Sequence, residues 1–254
     1  MTSNGDNTRR TGIARALSKL GYCSRSQAFR LIKEGRVRLN GHQVLDPETP
    51  VLMGPVRLSQ VLLSNDRIEV DGRVVSRAGK IYLMLNKPRG VVTTAKDEKG
   101  RKTIYALLPG YRDWLAPVGR LDMASEGVLL LTNDSEWGAR ITSPESHIEK
   151  TYHVQIAALA GEELLESIRR GVRTKDGDIL TVKRVNQLRH GGKNSWLEIV
   201  LEQGKNRHIR RMLEELDIEV LRLVRVAIGT LKLGDLPKGK TRELSKKEVK
   251  SLSM

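Results

Sequence analysis

Cysteine is almost absent from this chain: Cys23 is the only one among 254 residues. A single thiol excludes an intrachain disulfide and a thiolate zinc cluster, and it also excludes the zinc site of the nucleobase deaminases, which uses at least two cysteines. The five histidines show no spacing that is typical of metal ligands. We therefore expect no metal centre in this protein.

Long apolar runs are also missing. No stretch approaches the roughly 20 apolar residues that a bilayer-spanning helix requires. Residues 1–10 are polar and include Asp6, so they lack both the apolar core of a secretory signal and the acid-free composition of a transit peptide. We expect a soluble, cytoplasmic protein with no membrane partner. At 254 residues and 39% hydrophobic content, the chain predicts one large and one small domain.

Acidic residues are too few to balance the basic ones. The chain has 45 Lys and Arg against 30 Asp and Glu, which gives a formal net charge of +15. Such an excess predicts a polyanionic partner, and a basic protein without such a partner is the alternative. The excess is concentrated between Arg9 and Arg38, where nine basic residues accompany one acid, Glu34.

This basic segment has the pattern of two short helices followed by a hairpin. Apolar residues at three- and four-residue spacing predict a helix from Ile13 to Leu20. Ser24 and Gln27 have the spacing of a capping box for a second helix, which ends at Gly35. The pair Asn40-Gly41 is typical of a type I′ hairpin turn.

The same segment resembles an S4-type RNA-binding domain, in its runs Leu20–Arg25 (LGYCSR) and Gly35–Gly41 (GRVRLNG). The resemblance implies a small αα-hairpin/β domain, which we place at residues 11–75, although segment 46–64 is longer and more irregular than is usual there. Since apolar positions are used for packing, basic side chains remain outside, where they can contact phosphates. A solvated charged face is the alternative. The predicted RNA contacts here are Arg15, Arg25, Arg30, Lys33 and Arg36.

Residues 80–246 form the predicted larger domain. We expect a strand, a Pro/Gly turn and a second short strand over 82–93. Further strands are predicted at 128–131, 151–156, 179–185, 196–201 and 221–228, with helices near 161–170 and 206–216. Because strands and helices do not alternate regularly, the predicted class is α+β with a mixed, mainly antiparallel sheet.

One acid stands out in this domain. Asp122 ends the run Gly119–Asp122 (GRLD), next to an arginine and ahead of the apolar stretch 128–131, in a strongly basic chain. A lone carboxylate at the edge of a basic cleft indicates chemistry on a nucleic acid rather than binding alone. A turn or cap residue before a strand is the alternative interpretation.

Five motifs of this domain resemble those of the RsuA/RluB-type pseudouridine synthases, in the same order and spacing over residues 82–236. The motifs are Leu85–Gly90 (LNKPRG), Gly119–Asp122 (GRLD), Glu126–Asp134 (EGVLLLTND), Lys150–Tyr152 (KTY) and Gly204–Met212 (GKNRHIRRM). The resemblance implies an enzyme that isomerises a specific uridine of ribosomal RNA to pseudouridine.

That reaction breaks the bond between ribose and uracil N1 and reattaches the base through C5, with no redox change and no external group. It therefore needs no cofactor. It does need a carboxylate as nucleophile or base, a pocket that excludes water, and a nucleotide taken out of its stack. Asp122 is the predicted carboxylate. Hydrolysis of a glycosidic bond would use a paired second carboxylate, and the sequence offers one acid here.

The resemblance also implies roles for residues around Asp122. Arg210 pairs with the acid, where a cation stabilises the ionised carboxylate. Tyr152 stacks on the displaced uracil, with a half-buried strand tyrosine as the alternative. Arg120 helps to fill the space left by the flipped nucleotide, or forms a structural ion pair. Leu223 forms the apolar floor of the pocket, or packs in the core. The remaining predicted RNA contacts are Lys150, Lys205, Arg207 and Arg211, and a solvated helix face is the alternative for Lys205 and Arg211.

Other functions compete with this interpretation. A non-catalytic RNA-binding or ribosome-assembly factor would not need an intact Asp122 motif. A DNA-binding regulator is disfavoured because the helix pair lacks a dimer element. The sequence pattern of a P-loop occurs at 234–241, but a P-loop must lead into a helix of an α/β nucleotide-binding domain.

Within the enzyme class we expect large-subunit ribosomal RNA as the substrate, with small-subunit RNA as the alternative, and a monomeric protein.

Overall fold

The computed structural model describes residues 10–53, 56–58, 61–63, 66–95, 97–111 and 113–253. The chain divides into two compact units. Unit 1 contains Met1–Ile81, Tyr111–Ala116 and Thr132–Glu136, and unit 2 contains Tyr82–Gly110, Pro117–Leu131 and Trp137–Met254. Across the described residues, no helix combines the length and the apolar character needed to cross a bilayer.

Unit 1 contains two consecutive short helices, as the sequence predicts. Helix α1 spans Ile13–Lys19 and helix α2 spans Arg25–Lys33. The Ser24 hydroxyl accepts a hydrogen bond from the Gln27 backbone N–H at 3.1 Å, which caps α2. Among the described residues, the Gln27 side chain makes no reciprocal bond, so the cap is only half of the expected capping box. The apolar faces of both helices are buried in the core of unit 1.

Short strands complete unit 1. They are β1 (Arg10–Gly12), β2 (Val37–Leu39), β3 (His42–Gln43), β4 (Pro50–Leu52), β5 (Val56–Leu58), β6 (Val61–Leu63), β7 (Ile68–Val70) and β8 (Arg73–Val74). The turn between β2 and β3 has positive φ at Asn40 and Gly41, 51° and 86°, which confirms the predicted type I′ geometry. The sheet order is β3-β2-β7-β8, with separate pairs β1-β4 and β5-β6. Segment 46–64 falls partly outside the described residues.

The remaining strands are β9 (Tyr82–Lys87), β10 (Ala116–Val118), β11 (Glu126–Thr132), β12 (Lys150–Ile156), β13 (Val172–Arg173), β14 (Ile179–Leu180), β15 (Arg184–His190), β16 (Ser195–Leu201), β17 (Val220–Ile228), β18 (Leu231–Lys232) and β19 (Thr241–Glu243). The remaining helices are α3 (Ser135–Thr142), α4 (Glu162–Arg170), α5 (His208–Glu214) and α6 (Lys246–Ser251), and 3₁₀ turns lie at Ile104–Leu107 and Pro144–Ser146.

One mixed sheet organises this part of the chain. Its order is β15-β16-β12-β17-β11-β9-β19, with β10 beside β11 and β18 beside β17. Strands β11 and β17 run parallel, whereas β12 is antiparallel to both β16 and β17, and β19 is antiparallel to β9. The predicted class, α+β with a mixed, mainly antiparallel sheet, is confirmed.

The position of each strand in the sheet explains its sequence pattern. All seven residues of β11 are buried, which is why 128–131 is a continuous apolar run rather than an alternating one. Strands β12, β16 and β17 have one buried face, whose residues pack with the apolar faces of α4 and α5 in a single cluster. This packing fixes the strands and the helix that carry the candidate site.

Two predicted strands differ from the structure. Segment 91–93 forms only an isolated bridge, between Val92 and Thr103, because its neighbour is a loop rather than a strand. The predicted strand 179–185 is divided, since β14 pairs with β13 in a small hairpin while β15 begins at Arg184 and pairs with β16. As expected, 234–241 is not a P-loop, because Thr241 begins β19 and not a helix.

Candidate active site

A cavity of about 430 Å³ lies in unit 2 beside Asp122. We call it the Asp122 cavity. Its lining comes from segments 118–122 and 204–210, from β12 and β17, and from a few neighbouring side chains. It brings together eight of the predicted site residues: Arg120, Asp122, Lys150, Tyr152, Lys205, Arg207, Arg210 and Leu223. Arg211 is not part of this lining.

The loop that carries Asp122 is held by its own backbone contacts. Gly119 adopts a φ of 74°, which glycine reaches at low cost. The Thr93 hydroxyl donates to the Leu121 carbonyl at 2.7 Å, and the Ser125 N–H donates to the Asp122 carbonyl at 3.0 Å. The Asp122 side chain is partly buried. Its carboxylate forms no hydrogen bond or ion pair with any described residue, which leaves it open to a ligand.

Lys87 holds this loop in place through hydrogen bonds to its backbone, a role that the sequence analysis did not assign. Its side chain is fully buried. The ammonium donates to the carbonyl oxygens of Pro88, Asp122 and Ser125, at 3.1, 3.0 and 2.9 Å. Burial lowers the pKa of Lys87 to about 8, although the charges of Asp122 and Glu126 act in the opposite direction. All three N–H donors of the ammonium group therefore bind backbone carbonyl oxygens around Asp122.

Arg210 contacts the same loop from α5. This helix begins two residues later than predicted because Arg207 has a left-handed backbone, with φ 49°. The Arg210 guanidinium donates to the carbonyl oxygens of Ala124 at 3.1 Å and Val220 at 3.4 Å. The described side chains of Arg210 and Asp122 form no ion pair within 4.0 Å. Burial lowers the pKa of Arg210, and the charge of Asp122 opposes this shift, so the two groups interact electrostatically without direct contact.

Tyr152, Leu223 and Arg225 line the cavity from neighbouring strands. On antiparallel β12 and β17, Tyr152 lies directly opposite Arg225, and the register shifts between Thr151 and Tyr152. Such irregularities often re-aim side chains next to active sites. Leu223 lies two residues before Arg225 and shares its face. Leu223 and Arg225 are only 6% and 5% exposed.

Arg225 is a site residue that the sequence analysis missed. Arg222 and Arg225 are three residues apart on β17 and therefore point to opposite faces of the sheet. The sequence pattern of β17 does not show which face of the strand is buried. It therefore could not indicate that Arg225, rather than Arg222, faces the cavity.

Buried polar atoms without partners are concentrated at the Asp122 cavity. In the described part of the chain, the buried side-chain nitrogen and oxygen atoms that lack a hydrogen bond belong to Ser125, His208, Arg210, Arg225 and, in unit 1, Thr11. The first four all line this cavity. A buried polar atom without a partner costs about 1–3 kcal/mol. Their grouping in one place therefore indicates a surface that is complementary to a polar ligand.

A second carboxylate near Asp122 is already engaged. Glu126 is buried and accepts hydrogen bonds from Arg222 at 2.8 and 3.1 Å, and it pairs with Lys238 at 2.6 Å. Burial alone would raise the pKa of Glu126, but these two cations leave it below its usual value. Glu126 does not line the Asp122 cavity. Among the described residues, no group of three His, Cys, Asp or Glu side chains is placed to bind a metal ion.

The predicted RNA contacts fall into two classes of electrostatic environment. Arg15, Arg25 and Arg30 are exposed and form no ion pair with a described residue. Lys33 is exposed too, and its ammonium lies 5.7 Å from the centre of the Phe29 ring. Arg120 and Arg207 are exposed at the Asp122 cavity.

The other predicted contacts are engaged within the protein. Arg36 pairs with Asp71 at 2.6 Å and with Glu34 at 3.2 Å. Lys205 and Arg211 share Asp178, at 2.7 and 3.0 Å, and Arg211 also pairs with Asp176 at 2.7 Å. Lys150 is half-buried and donates to the carbonyl of Glu202 at 3.1 Å. Their predicted roles in RNA binding require these contacts to be exchanged for phosphates.

Comparisons with known proteins agree with this arrangement. The sequence profile of the RNA pseudouridylate synthase family matches residues 81–215, and that of the S4 domain matches residues 12–56. A crystal structure of a pseudouridylate synthase superposes with a TM-score of 0.61 at 28% sequence identity, and covers 95% of this chain and 99% of the other.

Curated relatives match over nearly the whole chain. The chain is 35% identical over 241 residues to the "Ribosomal large subunit pseudouridine synthase B" of Bacillus subtilis, which covers 94% of each protein. It is 36% identical over 247 residues to an RNA pseudouridine synthase of Aquifex aeolicus, which covers 94% of this chain and 92% of the relative. A profile match to more than half of the residues and full-length relatives at this identity, together with the Asp122 cavity, show that the chain belongs to the RNA pseudouridylate synthase family.

Proposed function

We propose that this pseudouridine synthase acts on large-subunit ribosomal RNA in the cytoplasm, with Asp122 as the reacting carboxylate. The relative from Bacillus subtilis is named as a large-subunit enzyme and matches 94% of both chains, which supports this choice of RNA. The net charge of +15 supports a polyanionic substrate of this kind.

The placement of Asp122 carries the catalytic part of the proposal. Its carboxylate is unpaired within the described residues, and the same cavity holds the unpartnered polar atoms of Ser125, His208, Arg210 and Arg225. A volume of about 430 Å³ lies in the range of sites for small organic ligands. A nucleotide that enters it presents carbonyl oxygens, hydroxyls and an N–H to these groups.

The reaction balances without any added group. The bond between N1 and C1′ breaks, its electron pair stays on the base, and a new bond forms between C5 and C1′. The hydrogen of C5 leaves as a proton and N1 takes up a proton, so nothing is oxidised or reduced. Asp122 serves as nucleophile or base in this sequence.

The surrounding residues present Asp122 in a fixed position. Lys87 and Arg210 hold backbone carbonyls of its loop, and so the carboxylate needs little reorganisation when the substrate arrives. Tyr152 offers an aromatic face on which the detached uracil stacks. Since the base must leave its helix to reach this cavity, the exposed Arg120 is placed to interact with the opened RNA.

Replacement of Asp122 by asparagine tests the catalytic assignment. The variant keeps the size of the side chain but loses the ionised oxygen, so we expect pseudouridine formation to fall by at least roughly 10³-fold while RNA affinity stays close to that of the wild type. The exposed Asp235→Asn variant is the matched control and should retain full activity. An Asp122→Asn enzyme that forms pseudouridine at the wild-type rate would remove this acid from the mechanism.

Mapping of pseudouridines in ribosomal RNA tests the substrate. Cells that lack the gene should lose a pseudouridine in the large-subunit RNA and regain it when the wild-type gene, but not the Asp122→Asn gene, is returned. A loss confined to small-subunit RNA would contradict the substrate assignment and keep the enzyme class.

A further inference from the structure

Arg225 is a buried cation without a described counter-ion. It is 5% exposed, and no described carboxylate lies within 4.0 Å of its guanidinium. Its Nε donates to the Val128 carbonyl at 2.7 Å, whereas its Nη2 is buried and has no hydrogen-bond partner among the described residues. Burial of an unpaired charge is costly. A ligand that brings acceptor atoms or negative charge to this position would remove the cost.

The position of Arg225 in the sheet points to the base of the substrate. Residues directly opposite on neighbouring antiparallel strands have Cβ atoms about 4.5–5.5 Å apart on the same face, and Arg225 lies opposite Tyr152. The hydrogen bond from Arg225 to the Val128 carbonyl directs the guanidinium towards β11, the strand that follows the Asp122 loop. Arg225 and Asp122 both line the Asp122 cavity.

We propose that Arg225 recognises the uracil of the target uridine, by donating an N–H to a base carbonyl, and stabilises the negative charge of the base while it is detached from ribose. The proposal rests on the proposed function and names the group that selects the base. Tyr152 provides the stacking face, and Arg225 provides the edge contact.

The charge on the base gives Arg225 a catalytic effect. When the N1–C1′ bond breaks, the electron pair remains on uracil, and resonance spreads the negative charge over O2 and O4. A cation already in place in a site shielded from water stabilises that charge without reorganisation. The later bond from C5 to C1′ uses this electron pair and leaves the base neutral, and C5 then loses its proton while N1 gains one.

The turn of the base suits a donor-only group. For C5 to replace N1, uracil rotates about the line through N3 and C6, and this rotation exchanges O2 with O4. Arg225, which we assign to O4 of the bound uridine, therefore faces O4 before the turn and O2 after it. Cytosine carries an amino donor in place of O4, and a guanidinium has no acceptor to offer it. A site built to donate in this way rejects an analogue that leaves its polar groups unpaired.

The test uses the Arg225→Gln and Arg189→Gln variants of the full chain. Glutamine can accept as well as donate, whereas Arg189 is an exposed arginine on β15 and serves as the charge-matched control. Two RNAs are compared: a ribosomal stem-loop on which the wild type forms pseudouridine, and the same stem-loop with cytidine at the target. The measurements are the single-turnover rate at saturating RNA and the dissociation constants of both RNAs.

We expect Arg225→Gln to lower the rate by about 10²-fold or more and to change the affinity for the uridine RNA by less than about threefold. Its preference for uridine over cytidine RNA should shrink, and Arg189→Gln should match the wild type in rate and preference. Wild-type rate and preference in Arg225→Gln would overturn the role of Arg225 and leave the enzyme's function intact. A wild-type protein that forms pseudouridine in no ribosomal RNA would instead overturn the proposed function.

A second variant distinguishes loss of the Arg225 contact from loss of the fold. Arg225→Lys keeps a positive charge and only donors, so it should fold, as circular dichroism can show, react more slowly than the wild type, and keep the full preference for uridine RNA. A folded Arg225→Lys enzyme that has lost this preference would also overturn the proposal.

Discussion

At the scale of single residues, the cations of the site act on the backbone rather than on the carboxylate. Lys87 and Arg210 both donate to carbonyl oxygens of segment 122–125. An ion pair with Asp122 would hold the carboxylate in place but would also occupy its oxygens. Fixing the loop instead keeps Asp122 in position and leaves both oxygens available to the substrate.

This arrangement makes the activity depend on the protonation of Lys87. Its pKa of about 8 lies below that of an ordinary lysine, so the amine loses its proton, and one of its three donors, as pH rises through 8. We expect the single-turnover rate at saturating RNA to fall above that pH. In Lys87→Arg the guanidinium stays protonated, and the alkaline fall should move to higher pH. The same RNA is used for both enzymes, so its own titration cancels; identical alkaline limbs would contradict the role of Lys87.

At the scale of secondary-structure elements, the parallel pair β11 and β17 joins the two halves of the site. Strand β11 follows the Asp122 loop, and β17 carries Leu223 and Arg225. Gly127 lies opposite Arg225 in this pair. It has a φ of 103°, and a Cβ added there would collide with the carbonyl oxygen of Arg225. The close approach of the two strands therefore depends on glycine at this position.

We predict that Gly127→Ala destabilises the protein by about 2–4 kcal/mol, because alanine is strained at this φ and its methyl group has no space. Urea denaturation measures the change. Gly192→Ala is the control, since Gly192 has an ordinary φ and open space around its Cα; its effect should stay within about 0.5 kcal/mol. Equal stability of the two variants would show that the strands can separate at little cost.

Features that depend on residues close in sequence could be predicted, whereas features that depend on residues distant in sequence could not. The cap at Ser24 and the turn at Asn40-Gly41 depend on neighbouring residues, and both were predicted. The division of 179–185 into β14 and β15 depends on distant partners, and that prediction was wrong. The motifs supplied Asp122 and Tyr152, whereas the burial of Lys87 and Arg225 depends on how β9 and β17 enter the sheet. Helix α6 was missed although Ser245 and Glu248 have the spacing of a capping box, which they form.

At the scale of the whole molecule, the positive charge is not uniformly available to RNA. The net charge is +15, yet Arg36, Lys205 and Arg211 are paired with acids. By contrast, the exposed Arg15, Arg25 and Arg30 of unit 1 form no ion pair with a described residue. An unpaired arginine that meets a phosphate releases condensed counterions, whereas a paired one must first give up its carboxylate.

The salt dependence of RNA binding separates these two kinds of arginine. We predict that Arg30→Ala weakens binding to a ribosomal RNA fragment and reduces the slope of log affinity against log salt by roughly one. Arg169 is the control, because it pairs with Glu162 and Glu166 on α4 and is not a predicted contact; Arg169→Ala removes the same charge and should leave the slope unchanged. Equal slopes for both variants and the wild type would place Arg30 outside the RNA interface. Equal reductions in both would mean that RNA responds to the net charge of the molecule, and that the helices of unit 1 do not form a defined contact surface.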